Sequence, residues 1–97
     1  MKVVTICGSM KFEKEMLKVA GKLEKEGSFS VIQPVYFDKN EKLSDDDLKK
    51  LADAHFKKID ISDAIFVVNV GGYVGSSTRK EIEYARQHGK EVLFLEN

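Results

Sequence analysis

Asp63-Ala64-Ile65-Phe66-Val67-Val68-Asn69-Val70-Gly71-Gly72-Tyr73-Val74-Gly75-Ser76-Ser77 is the stretch on which the fold turns. Ala64–Val70 is the most apolar run of the chain, without the polar alternation of a strand that wets one face, so it reads as a central strand. A glycine-rich turn follows at Gly71–Ser77, then a helix over about Arg79–His88 that ends at Gly89, then a strand at Glu91–Leu95. Working backwards, Lys2–Cys7 is a short β-branched run stopped by Gly8-Ser9. Lys11–Glu26 puts Phe12, Met16, Val19, Ala20 and Leu23 on one helical face and stops at Gly27. Phe29–Gln33 is a second short strand closed by Pro34, and Val35–Leu43, which has no period, reads as a mobile loop. A helix then opens with Ser44 as N-cap, Asp45–Asp47 in its first turn, and Leu43 and Leu48 spaced for a hydrophobic staple. Its apolar stripe is Leu48, Leu51, Ala52, Phe56 and Ile59, with His55 on the same face.

This β-α-β-α-β-α-β alternation implies a parallel sheet with right-handed crossovers and helices on both faces. The expected architecture is α/β: a flavodoxin-like or Rossmann-like three-layer sandwich whose four-stranded parallel sheet has the order 2-1-3-4. Ligands of such sheets bind beyond the carboxyl ends of the strands, where the chain reverses direction. The loops expected to meet there are Gly8–Phe12 and Gly71–Ser77.

Ninety-seven residues imply one domain spanning 1–97. A composition of 42% hydrophobic and 33% charged residues excludes a disordered tail. Lys+Arg and Asp+Glu both number 16, so the basic surplus of a nucleic-acid binder is missing and no nucleic-acid partner is expected. No run approaches the roughly 20 apolar residues that span a bilayer, so no membrane partner is expected either. The apolar run before Gly8 is too short for the core of a secretory signal, which makes a cytoplasmic location the expectation. One cysteine cannot close an internal disulfide, and with only two histidines beside it no metal and no cofactor are expected.

Gly8-Ser9 either serves a tight strand-to-helix turn or points its amides at an anion. It carries neither the G-x-G-x-x-G fingerprint nor the Walker lysine pattern, so a dinucleotide or triphosphate site has no support. Gly71, Gly72, Tyr73, Ser77 and Thr78 offer close backbone approach, a flat aromatic face and hydroxyl donors, although a long loop also needs glycine for its turns. Thr78-Arg79-Lys80-Glu81 matches a T-x-x-E capping box. The other reading of Glu81 is a carboxylate in the first turn, aimed at the crevice, kept ionised by the helix dipole and usable as a nucleophile. Tyr84 and His88 share its face and either flank it or lie on the surface. His55 is either a packed histidine or a catalytic one. Cys7 reads as an inert, packed thiol, and Asp60 and Asp63 as turn residues.

Together, Cys7-Gly8-Ser9, Asp63-Ala64-Ile65-Phe66-Val67-Val68 and Ser77-Thr78-Arg79-Lys80-Glu81-Ile82-Glu83-Tyr84-Ala85, with Gly89-Lys90 beyond, resemble the nucleoside 2-deoxyribosyltransferase superfamily, which includes the 2'-deoxynucleoside 5'-phosphate N-hydrolases. The resemblance covers essentially the whole chain and implies a retaining reaction. Glu81 falls on the nucleophile that attacks C1' of a 2-deoxyribosyl group, and His55 is placed as proton donor to the leaving base. Gly8, Ser9, Gly71, Gly72, Tyr73, Ser77 and Thr78 would then form the substrate site. It implies a small-molecule deoxynucleoside or nucleotide as partner, and a homodimer. The chain departs from the pattern at Gly75, where the transferases carry an aspartate, and at Thr5, where a tyrosine is common. At His55 the family has an aspartate, and Asp53 stands close by. A non-catalytic nucleotide- or nucleotide-sugar-binding module is the alternative, with Glu81 as a cap only. A phosphate-responsive regulatory domain ranks last, because Gly8-Ser9 stands where its acceptor aspartates would be.

Overall fold

The computed structural model describes Met1–Asn97. In chain order the elements are β1 (Lys2–Cys7), α1 (Glu13–Lys25), β2 (Phe29–Ile32), α2 (Asp45–Asp60), β3 (Ala64–Val67), α3 (Ser76–Gln87) and β4 (Glu91–Phe94). Short 3-10 turns at Met10–Phe12 and Val70–Gly72 precede α1 and α3. All pairings are parallel and the sheet order is β2-β1-β3-β4, the expected α/β architecture.

The two-residue period of β1 distributes its side chains between two cores. Val4 and Ile6 pack with Met16, Ala20 and Leu23 of α1, together with Ala64 and Val68. Cys7 faces the other way, among Ile59 of α2, Ile65 and Val67 of β3, and Ile82 and Ala85 of α3. So α1 covers one face of the sheet, and α2 and α3 cover the other. Asp63 ties the start of β3 to β1, its Oδ2 accepting from the Val3 amide at 2.8 Å. No helix is long and apolar enough to cross a membrane.

Three features that shape the site differ from the sequence reading. β3 stops at Val67 rather than Val70. The buried Asn69 side chain donates to the Glu96 carbonyl and accepts from the Glu96 amide, and the Gly71 amide donates to the Glu96 carboxylate. These bonds turn the chain out of the sheet through Gly71 and Gly72, whose φ values of 63° and 81° suit glycine. α3 begins at Ser76 with extended Gly75 as its N-cap, because the Arg79 amide already closes on the Gly75 carbonyl at 2.9 Å. Thr78 is therefore a buried third-position residue, and the T-x-x-E capping box does not form. Finally, only the C-terminal part of the α2 stripe reaches the core. Ile59 is buried, Phe56 partly so, and Leu48 is 51% exposed.

The start of α2 is as the sequence indicates. Ser44 Oγ accepts from the Asp47 amide and Asp47 Oδ2 accepts from the Ser44 amide, both at 3.0 Å. Ser44→Ala is expected to cost about 1 kcal/mol through the lost cap. Thermal unfolding checks this as a drop in Tm of roughly 4–8 °C.

Candidate active site

Beyond the carboxyl ends of β1 and β3 lies a cavity of about 440 Å³, within the range of roughly 300–1,000 Å³ usual for small-molecule sites. One wall is the Gly8-Ser9 turn. A second is the N-terminus of α3, with Gly75, Ser76, Ser77 and Thr78. The third is the unburied part of the α2 stripe, where Leu48, Leu51 and Ala52 line the cavity instead of the core. The apolar periodicity of α2 thus serves two surfaces, the sheet at one end and the crevice at the other.

Glu81 lies on the floor. Counting from Ser76, it is more than a turn inside α3, too far in to cap the helix. Its side chain is 17% exposed and that of His55 11%, with His55 Nε2 3.5 Å from Glu81 Oε1. The same ring nitrogen lies 3.3 Å from Cys7 Sγ. Three elements deliver this trio: the end of β1, the middle of α2 and the second turn of α3.

Burial governs the charges. It pushes the Glu81 carboxyl up from 4.5 to about 7, with the Cys7 thiol offsetting part of the rise. Desolvation here outweighs the helix dipole that the sequence reading invoked to keep Glu81 ionised, because dipole effects fade beyond the first turn. Burial lowers His55 from 6.5 to about 4, assisted by the charge of Lys58. The imidazole is thus neutral at pH 7, and its contact with Glu81 is not an ion pair. The Cys7 thiol is raised well above its ordinary value by burial and by the negative charge of Glu81. A thiol kept protonated and fully buried is no nucleophile. Nor is the trio a nucleophile–base–orienter relay, since His55 meets both partners through one nitrogen.

The first amides of α3 have no acceptor within the helix, and Gly75 supplies no capping side chain. With the hydroxyls of Ser9, Ser76 and Ser77 beside them on the cavity wall, they make a natural anion cradle. Tyr73 stands at the rim, 48% exposed, with Lys11 Nζ 3.4 Å from its ring centroid and Phe12 edge-on at 5.9 Å. Lys58 also reaches the cavity, its Nζ donating to the Gln33 carbonyl at 2.9 Å.

Of the residues picked from sequence, the cavity gathers Gly8, Ser9, His55, Tyr73, Ser77, Thr78 and Glu81. Gly71 and Gly72 are not on its walls. Tyr84 and His88 stack on each other at 4.0 Å farther along α3, where the Tyr84 hydroxyl donates to Asp60, and do not flank Glu81. Cys7 went unrecognised as part of the constellation. Its signal was the alternation of β1, which sends Cys7 to the face opposite Ile6, the face that α2 and α3 cover.

An open parallel sheet with its crevice at the β1/β3 reversal defines the class: a small doubly wound α/β protein, whose ligands bind at that reversal. No family model matches the sequence, and no curated protein matches it. Among solved structures the chain is similar to the CMP N-glycosidase BcmB of Clostridium botulinum, with a TM-score of 0.59 and 21% identity over 96% of this chain and 70% of that one. That likeness is one of fold.

Proposed function

We propose that residues 1–97 form a single nucleoside deoxyribosyltransferase-like domain that cleaves or exchanges the N-glycosidic bond of a nucleoside 5'-monophosphate or the corresponding nucleoside. The observation that carries this reading is Glu81: a carboxyl held near 7 on the floor of an open cavity, relieved of any capping duty. A carboxyl in that position has no evident structural reason to be there. The fold likeness to a CMP N-glycosidase supports the reading.

In the reaction, ionised Glu81 attacks C1', the C1'–N bond breaks, and the base leaves with the bonding electrons and takes a proton from water in the cavity. Water or a second base then attacks C1' and frees the carboxylate, so configuration is retained. His55, neutral at pH 7, acts by positioning the carboxylate 3.5 Å away. The α3 amides with Ser9, Ser76 and Ser77 hold the 5'-phosphate, and Tyr73 lies against the base or sugar.

The test is base release from the four 2'-deoxynucleosides, their 5'-monophosphates and CMP, each with and without an acceptor base. Release from a monophosphate is the expected result, and dCMP against CMP reads the sugar preference. Saturable binding without release would instead favour a non-catalytic binding module, a reading that Gly75 at the transferase aspartate position also favours.

The pH dependence has a definite sign. Only the ionised carboxyl is nucleophilic, and Glu81 ionises around 7. In chelator-treated protein kcat/KM should rise about tenfold per pH unit below about 7 and level off above it. His55 adds no limb in that range, being neutral above about 4. A profile flat between about pH 5 and 8 contradicts the assignment of Glu81.

A further inference from the structure

We propose that Cys7, His55 and Glu81 form a binding site for a borderline-soft divalent cation such as zinc, which occupies the cavity floor and blocks the carboxylate. The ligand atoms of all three lie within 4.8 Å of one another. Zinc bonds of about 2.0 Å to nitrogen or oxygen and about 2.3 Å to sulfur place two tetrahedral ligands roughly 3.3–3.6 Å apart. In the structure Cys7 Sγ lies 3.3 Å from His55 Nε2, and His55 Nε2 lies 3.5 Å from Glu81 Oε1. The third pair, Cys7 and Glu81, lies within 4.8 Å, so a side-chain adjustment of about 1 Å brings all three donors to the spacing of a tetrahedral ion. A thiol, an imidazole and one carboxylate suit zinc or cobalt and not magnesium or calcium, which prefer oxygen ligands.

The surroundings complete the site. Three protein ligands with the cavity on the remaining side leave the fourth position to water, the arrangement of an open zinc centre. The residual exposure of the Glu81 and His55 side chains gives the ion its way in. Binding breaks the S–H bond of Cys7, forms the metal–sulfur bond and releases the proton to solvent, along with whatever proton Glu81 holds. The occupied carboxylate is no longer free to attack carbon. The binding stands on the geometry alone, whereas the inhibition rests on the function proposed above.

Cobalt is the probe. Adding Co²⁺ to the chelator-stripped, reduced protein should produce a thiolate-to-cobalt charge-transfer band in the near ultraviolet and intense visible bands of a four-coordinate ion, both discharged by Zn²⁺. Cys7→Ser, which keeps the side-chain volume, should lose the charge-transfer band. His55→Ala should weaken Zn²⁺ affinity by more than about tenfold, since even the outer contacts of zinc ligands carry factors of that size. Should either variant fail to fold, Glu81→Gln serves: it keeps the thiol band and binds more weakly. Absence of the thiolate band at saturating Co²⁺, or equal Zn²⁺ affinity in wild type and Glu81→Gln, overturns the site. None of these readings needs a substrate, so a failure here and a failure of the glycosyl-transfer reading are separate results.

Discussion

Glu81→Gln is expected to make the protein more stable at about pH 8 while abolishing base release. A carboxyl whose pKa rises from 4.5 unfolded to about 7 folded favours folding only while it holds its proton. The sign follows from linkage. Between about 4.5 and 7 the folded state binds more protons than the unfolded chain, so stability falls as pH rises through that window and stays low above it. Ionised in place, Glu81 costs on the order of 3 kcal/mol, an upper bound because the cavity opens to water. Glutamine keeps the shape and removes the charge, though its amide must also be accommodated. The net gain at about pH 8 should be about 1–3 kcal/mol, or roughly 5–15 °C in Tm, shrinking toward zero near about pH 5. His55 loses stability as pH drops from 6.5 toward 4, but wild type and variant share that loss, and their difference isolates Glu81. Turnover in the same variant should fall by at least about a thousandfold, the usual scale for removing a nucleophile. Thermal unfolding of chelated protein at the two pH values, beside the base-release assay, checks both halves. A variant that is no more stable at high pH would mean that the carboxylate is better solvated than its burial indicates. An active variant would remove Glu81 from the chemistry.

The stability sacrificed at Glu81 also explains which parts of the molecule were legible in its sequence. Wherever local signals and the core agree, the elements can be read directly. The apolar runs of β1 and β3, the face of α1 and the Ser44 cap all match the observed packing. Where a residue answers to the crevice, local reading misleads. Thr78-Arg79-Lys80-Glu81 has the spelling of a cap, but Gly75 and the two serines start α3 earlier and carry Glu81 inward to the floor. Leu48 and Leu51 continue a core stripe and end up as cavity wall. The pairing of Cys7 with His55 spans 48 positions and depends on which helices share a sheet face. Gly71 reads as a ligand loop, yet the Glu96 carboxylate binds its amide, a contact that exists only once β4 lies beside β3.

Gly8 shows how tightly the site is tied to the sheet, and replacing it should have the second large effect. A Cβ built there would lie 3.1 Å from Met16 Sδ and 3.1 Å from the Val68 carbonyl oxygen. The methionine end can rotate away, but the carbonyl belongs to the backbone just beyond β3. It is held there, because the Val68 amide donates to the Cys7 carbonyl at 2.8 Å. Gly8→Ala must therefore spread the carboxyl ends of β1 and β3 by a few tenths of an ångström. Overpacking of this kind costs about 1–3 kcal/mol. The functional loss should exceed what stability alone explains. The spread separates the Gly8-Ser9 turn and Cys7 on one side from the loop leading into α3 and Glu81 on the other. Misplacing reacting groups by about 1 Å can cost a hundredfold in rate, and a smaller shift should still lower kcat about tenfold. Urea unfolding should show a lower midpoint with unchanged m, and kcat measured well below that midpoint should remain depressed. The pH at which kcat/KM levels off should move slightly upward from about 7, because burial still raises the Glu81 carboxyl while the Cys7 thiol, which offsets part of that rise, is drawn away. Wild-type stability in Gly8→Ala would show that the seam between β1 and β3 has slack, and the catalytic geometry would then owe nothing to the closeness of their ends.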